Sequence, residues 1–252
     1  MFIHGAWVTP RCWDLFRSYY EQRGHTCLAP AWPYDDRPPR ELRATPRAEL
    51  SGLGVSEIVS HYEKLIRDLP EPPIIVGHSF GGLFVQLLLD RGFGAAGIAI
   101  DPGPPRWIFP TPTAFRAALF VFLKWAGWRR AVTMPFTNFQ WGFAHNLSPD
   151  EQRLAYENHV VPTPGRIYYQ LVLGIHTRVN FSNGRRGPLL LIGGGDDRTA
   201  PPSMTRAMYR KHRRSSASTK YLEFPGRTHW LIASPGWEEI AMAIESWVNG
   251  LS

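Results

Sequence analysis

Short apolar runs alternate along the chain with segments whose apolar residues recur every three to four positions, as in parallel strands covered by helices. The runs Phe2-Ile3, Thr26-Cys27-Leu28-Ala29, Ile74-Ile75-Val76, Gly97-Ile98-Ala99-Ile100, Leu189-Leu190-Leu191-Ile192 and Lys220-Tyr221-Leu222-Glu223-Phe224 read as strands. Thr9-Pro10 suits the cap and first turn of a helix that buries Trp13, Phe16 and Tyr20 and stops at Gly24. Ile58, Val59, Tyr62, Leu65 and Ile66 mark one face of a helix over 55–69, and Leu83, Leu87 and Leu88 mark a face of the next. Ile240, Ile244 and Trp247 do the same for a helix over 237–248 that ends at Gly250. The pattern predicts an α/β chain with a mostly parallel sheet and helices on both faces.

The stretch 102–187 breaks the alternation. It holds no clear buried strand, an apolar helix over 113–128, a polar-faced helix over 148–158, and aromatics at Trp107, Phe109, Phe136, Phe139, Trp141 and Phe143. An inserted helical cap explains it, which divides the chain into a core of 1–101 and 188–252 and a cap of 102–187. The aromatics suit the cap's own core and the lining of a pocket alike. Residues 34–54, rich in proline, arginine and glycine, read as a surface loop.

Composition narrows the picture. At 252 residues, 44% hydrophobic and 13% aromatic with ten tryptophans, the chain can bury a substantial core and is not a disordered sequence. The net charge of +7 is dispersed except over 206–214, which reads as a solvated helix face; no nucleic-acid module accompanies it, so no nucleic-acid partner is expected. Cys12 and Cys27 lie in no metal-ligand spacing and are too few for a disulfide framework, so they read as core thiols. The most apolar stretch, 117–128, is interrupted by Lys124 and too short to span a bilayer. Met1-Phe2-Ile3-His4-Gly5 shows no basic and then apolar leader, which makes a cytoplasmic location the expectation. Oligomeric state is not readable.

The chemistry centres on Gly77-His78-Ser79-Phe80-Gly81, set between the strand Ile74-Ile75-Val76 and a helix. Small residues two before and two after Ser79 let strand and helix approach closely, so that the serine occupies a strained turn with its hydroxyl exposed. A serine needs an imidazole to take its proton and a carboxylate to orient the imidazole. The strand 189–192 runs into Gly193-Gly194-Gly195-Asp196-Asp197, and the next strand leaves Gly226-Arg227-Thr228-His229-Trp230 on a loop. Asp101 also follows a strand and is a rival acid. His229 is the one histidine in a strand-loop setting downstream of the acid. His61 sits mid-helix, His25 and His212 look exposed, and His145, His159 and His176 fall in the cap.

The order serine, acid, histidine, each at the carboxyl end of a successive strand, resembles the α/β-hydrolase superfamily from His4-Gly5 to His229. The resemblance favours Asp197, four residues before Pro201, as the acid. It assigns the oxyanion donors to the amides of Ala6, in His4-Gly5-Ala6-Trp7, and of Phe80, at the start of a helix. Trp7, His78, Trp107, Phe136, Trp141 and Trp230 are the candidate substrate contacts. Family members usually carry two further strands ahead of the His-Gly segment; here only Met1-Phe2-Ile3 precede it, so the sheet is expected to lack them or the start to be late.

These features imply a serine hydrolase that cleaves an ester or related acyl bond of an apolar small molecule, with no cofactor and no metal. Serine at position 79 argues against the epoxide-hydrolase and dehalogenase branches, which use a carboxylate nucleophile. The same triad also suits perhydrolysis, carbon-carbon bond hydrolysis or acyl transfer, and the fold suits a slow ligand receptor.

Overall fold

The computed structural model describes residues 1–251. In chain order the elements are β1 (Phe2–Ile3), α1 (Asp14–Glu21), α2 (Pro39–Ala44), α3 (Val55–Arg67), β2 (Ile74–His78), α4 (Phe80–Asp90) and β3 (Ala96–Ile100). There follow α5 (Pro112–Phe122), β4 (Ala131–Val132), α6 (Phe136–Asn138), α7 (Pro149–His159), β5 (Thr163–Pro164) and α8 (Arg166–Leu173). The chain closes with β6 (Leu189–Gly194), α9 (Pro202–His212), β7 (Thr219–Phe224) and α10 (Trp237–Asn249).

Five strands form one parallel sheet in the order β1-β2-β3-β6-β7. Every residue of β3 and β6 is buried, so helices cover both faces of the sheet centre. The register aligns the carboxyl ends: His78 faces Ile100, Ile100 faces Ile192, and Gly194 faces Phe224. Each next amide extends the ladder, with Ser79 N donating to Ile100 O (3.0 Å), Asp101 N to Ile192 O (2.8 Å) and Gly195 N to Phe224 O (2.8 Å). The residues that leave the strands with chemistry to offer therefore emerge side by side along one edge of the sheet.

Several expectations are corrected. Thr26-Cys27-Leu28-Ala29 is not a strand; it meets β1 through one bond, Phe2 N to Leu28 O (2.7 Å), and one bond makes no ladder. Residues 34–54 are not wholly loop, because α2 and a 3-10 turn at Ala48–Gly52 bury Leu42 and Leu50. Thr9 makes no side-chain cap; Pro10–Trp13 is a 3-10 turn and α1 begins after it. The helix expected over 113–128 ends at Phe122, and the chain then turns through Ala126 at φ 54° into a 3-10 turn at Gly127–Arg129. Between β3 and β6 the chain also forms an antiparallel pair, β4 with β5, and the helix α8, none of which was expected. His212 is buried rather than exposed, with Nε2 3.1 Å from Gln86 Oε1.

Candidate active site

Ser79 has φ 57° and ψ −121°, a conformation that costs a non-glycine residue energy and persists only where the surroundings impose it. The neighbouring glycines impose it. A Cβ on Gly77 would lie 2.2 Å from Gly81 O, and one on Gly81 would lie 2.1 Å from Ile3 O, so strand and helix pack closer than any side chain permits. Trp7 (φ 63°) and Asp101 (φ 42°) are strained in the same way, so three such residues cluster at the carboxyl edge of the sheet. The Phe80 amide opens the first turn of α4, at the positive end of its dipole.

The segment His4-Gly5-Ala6-Trp7 lies against Ser79, because a Cβ on Gly5 would meet Ser79 Cβ at 2.7 Å. Hydrogen bonds fix it in place. His4 Nδ1 donates to Gly5 O (2.9 Å) while Nε2 accepts from Trp32 N (3.1 Å). Burial lowers the His4 pKa to about 4, so the ring stays neutral as that pairing requires. Trp7 N donates to Thr163 Oγ1 (2.6 Å), and the Trp7 indole Nε1 donates to Val132 O (3.0 Å).

On the other side, the loop after β6 wraps Asp197 so that its Oδ1 accepts from the amides of Thr199 (2.6 Å) and Ala200 (2.9 Å). Asp197 Oδ2 accepts from His229 Nδ1 at 2.6 Å. Both residues are buried. A proton held on Nδ1 leaves Nε2 as the basic nitrogen, and among the described residues Nε2 is buried with no partner. Asp101 Oδ2 stands 4.0 Å from the same Nδ1, while its Oδ1 accepts from Gly194 N (2.6 Å). Burial first, and then the charge of Asp197, raise the Asp101 pKa well above the carboxylate range. Asp101 is therefore biased toward its protonated form, while Asp197 is the carboxylate that holds His229. Asp196, next along the loop, is exposed.

His78 lies beneath this pair, with its ring 4.6 Å from that of His229 and its Nε2 donating to His229 O (2.8 Å). Burial, and then His229, push its pKa well below the usual histidine value, so it is a neutral packing donor. Atoms of His78, Asp101 and His229 lie within 4.8 Å of one another, a spacing that would suit a cation. Hydrogen bonds take up His78 Nε2 and His229 Nδ1, while His78 Nδ1, His229 Nε2 and Asp101 Oδ2 have no partner among the described residues.

Ser79 opens into a narrow cavity with Trp7, Phe80, Ala118, Phe122, Tyr168 and Met204 among its walls and no charged residue lining it. Of the candidate substrate contacts, Trp7 lines this cavity, stacked on Tyr168 at 4.7 Å. The other five do not. His78 supports His229, and Trp107 is 57% exposed with the Arg106 guanidinium over its ring. Phe136 packs on Tyr156, Trp141 lies between Arg116 and Arg198, and Trp230 is buried against Phe139 and His159. The walls that sequence reasoning missed come mainly from α5 and α8. Ala114, Ala118 and Phe122 on α5, and Tyr168, Leu171 and Val172 on α8, follow helical spacing, a signal the sequence does contain.

A profile of the Alpha/beta hydrolase family matches residues 1–242, and the chain belongs to that family. Among curated proteins, none matches it in sequence. Solved structures share the fold at low identity. A monoacylglycerol lipase from Paleococcus ferrophilus is 19% identical, with a TM-score of 0.70 over 100% of this chain and 93% of that one. A pyrethroid hydrolase from Sphingobium faniae JZ-2 is 19% identical, with a TM-score of 0.66 over 98% and 96%. A methylesterase from Arabidopsis is 16% identical, with a TM-score of 0.69 over 98% of both chains. Among the described residues no helix is long and apolar enough to cross a membrane.

Proposed function

We propose that the chain is a serine hydrolase that cleaves a carboxylic ester or related acyl bond through an acyl-enzyme on Ser79. The observation that carries this reading is the 2.6 Å contact of His229 Nδ1 with Asp197, which leaves a buried, unpartnered Nε2 as base, together with the strained turn at Ser79. His229 Nε2 takes the Ser79 hydroxyl proton as Oγ attacks the substrate carbonyl. The amides of Ala6 and Phe80 stabilise the oxyanion; loss of one such donor typically costs about 3 to 4 kcal/mol. His229 then passes the proton to the departing alkoxide, and the acyl group stays on Ser79 Oγ. Water, deprotonated by Nε2, attacks the acyl carbonyl, and Ser79 leaves with the proton restored.

Asp197 serves as the triad acid and Asp101 as a neutral neighbour, a reading supported by the two distances to Nδ1 and by the burial of Asp101. Residues 102–187 serve as the cap, since α5 and α8 supply much of the cavity wall. An uncharged lining favours an apolar small-molecule ester, and the fold shared with a monoacylglycerol lipase, a pyrethroid hydrolase and a methylesterase agrees with ester chemistry. The test is turnover of a short p-nitrophenyl ester. Ser79→Ala is expected to lower kcat by about a thousandfold or more, and activity equal to the wild type in that variant would overturn the proposal.

A further inference from the structure

Among the described residues, most of the large apolar side chains left exposed lie between 107 and 175. They include Trp107 at 57%, Phe109 at 79%, Leu123 at 76%, Trp125 at 83% and Leu173 at 66%. Contacts gather these five around the ends of α5 and α8. The Arg106 side chain lies over Gly174 at the end of α8, and Arg106 N donates to Thr177 O (2.9 Å), which ties the 106–109 loop to that helix end. Phe122 at the end of α5 packs on Tyr169 of α8 (5.0 Å), as does Trp128 (5.7 Å), which brings the 123–128 turn to the same place. Phe115, Phe122, Leu171 and Val172 line the Ser79 cavity, and Phe115 and Val172 are also exposed, so the face borders the cavity mouth.

The charge on this face has one sign. Residues 102–149 contain no aspartate or glutamate, and Arg106, Lys124, Arg129 and Arg130 are exposed with no ion pair among the described residues. Exposed tryptophan and leucine mixed with unpaired cations match the boundary of an anionic bilayer. There the rings sit at headgroup depth, the leucines reach the acyl chains, and the cations meet lipid phosphates. A second copy of this chain suits the face poorly, because a self-complementary contact would set these cations against one another.

We propose that this face docks on an anionic lipid surface and sets the mouth of the Ser79 cavity at the interface, where lipophilic substrate is concentrated. The docking does not depend on the reaction at Ser79, and its test reads binding alone.

The full chain is floated with vesicles of phosphatidylcholine, and separately with vesicles in which phosphatidylglycerol is the minor lipid. It is expected to float with the mixed vesicles, and its partitioning to fall by about tenfold or more on phosphatidylcholine alone or at high salt. The Leu123→Ser/Trp125→Ser pair, and separately Lys124→Glu/Arg129→Glu/Arg130→Glu, should each weaken binding by a similar factor. Circular dichroism and turnover of a soluble ester should match the wild type in both variants, because the substituted side chains are exposed and line no part of the cavity. A chain that stays in solution with both vesicle types would overturn the proposal, as would folded variants that bind as the wild type does. A solution dimer that Leu123→Ser/Trp125→Ser dissociates would assign the face to a second copy instead, and would also overturn it.

Discussion

Two buried carboxyl groups compete for one imidazole nitrogen, and their surroundings separate them. Asp197 has both oxygens occupied by donors, two backbone amides on Oδ1 and His229 Nδ1 on Oδ2. Asp101 has one amide donor, is fully buried and faces a negative neighbour, so it keeps its proton. Asp197→Asn should therefore lower kcat by about 10⁴ by disturbing the tautomer of His229, as loss of a triad acid does elsewhere. Asp101→Asn replaces a neutral acid with a neutral amide of the same shape and should leave kcat close to the wild type; p-nitrophenyl ester kinetics on both variants check the contrast. The residues themselves were legible in the sequence, because glycine spacing marks Ser79 and strand ends mark the acids and His229. The distances of 2.6 and 4.0 Å were not legible, since they depend on how the loop of residues 195–200 folds its amides around Asp197.

Elements whose signal is local were read well. The strands that became β2, β3 and β6 are β-branched or leucine-rich runs buried almost throughout, the edge strand β7 is more exposed with only Phe224 buried, and α3 and α10 follow their apolar stripes to within two residues. Ser148 and Glu151 form a complete capping box at the start of α7, with Glu151 Oε2 accepting from Ser148 N at 2.9 Å. Ser148→Ala should cost about 1 kcal/mol of stability, read from the denaturant midpoint, with ester turnover unchanged because the cap lies away from the cavity lining. What the sequence hid at this scale has physical causes. The strands β4 and β5 are two residues each, too short for alternation to register, and α5 stops at Phe122 inside an apolar run, with no glycine or proline at its end. Trp107, Phe136, Trp141 and Trp230 were expected at the substrate because they are large and aromatic. Yet such rings also bury against one another or stack under arginines, and which face of a helix meets the cavity is decided by docking between helices.

At the scale of the molecule, parallel register does the positioning. Because His78, Ile100 and Ile192 sit level across β2, β3 and β6, the residues that follow them, Ser79, Asp101 and the loop carrying Asp197, leave the sheet together, and His229 joins them from the loop after β7. That convergence was readable from the order of motifs, whereas the uncharged cavity above it and the basic aromatic face at its mouth appear only once α5 and α8 are packed side by side. The central claim is that this assembly activates Ser79. A fluorophosphonate probe tests it directly: an activated serine oxygen displaces fluoride from phosphorus and keeps the phosphonyl group. The intact mass of the wild type should rise by one adduct, mapped to the peptide containing Ser79, while Ser79→Ala stays unmodified. A wild type that takes up no label, or a Ser79→Ala variant labelled as fast as the wild type, would contradict the account.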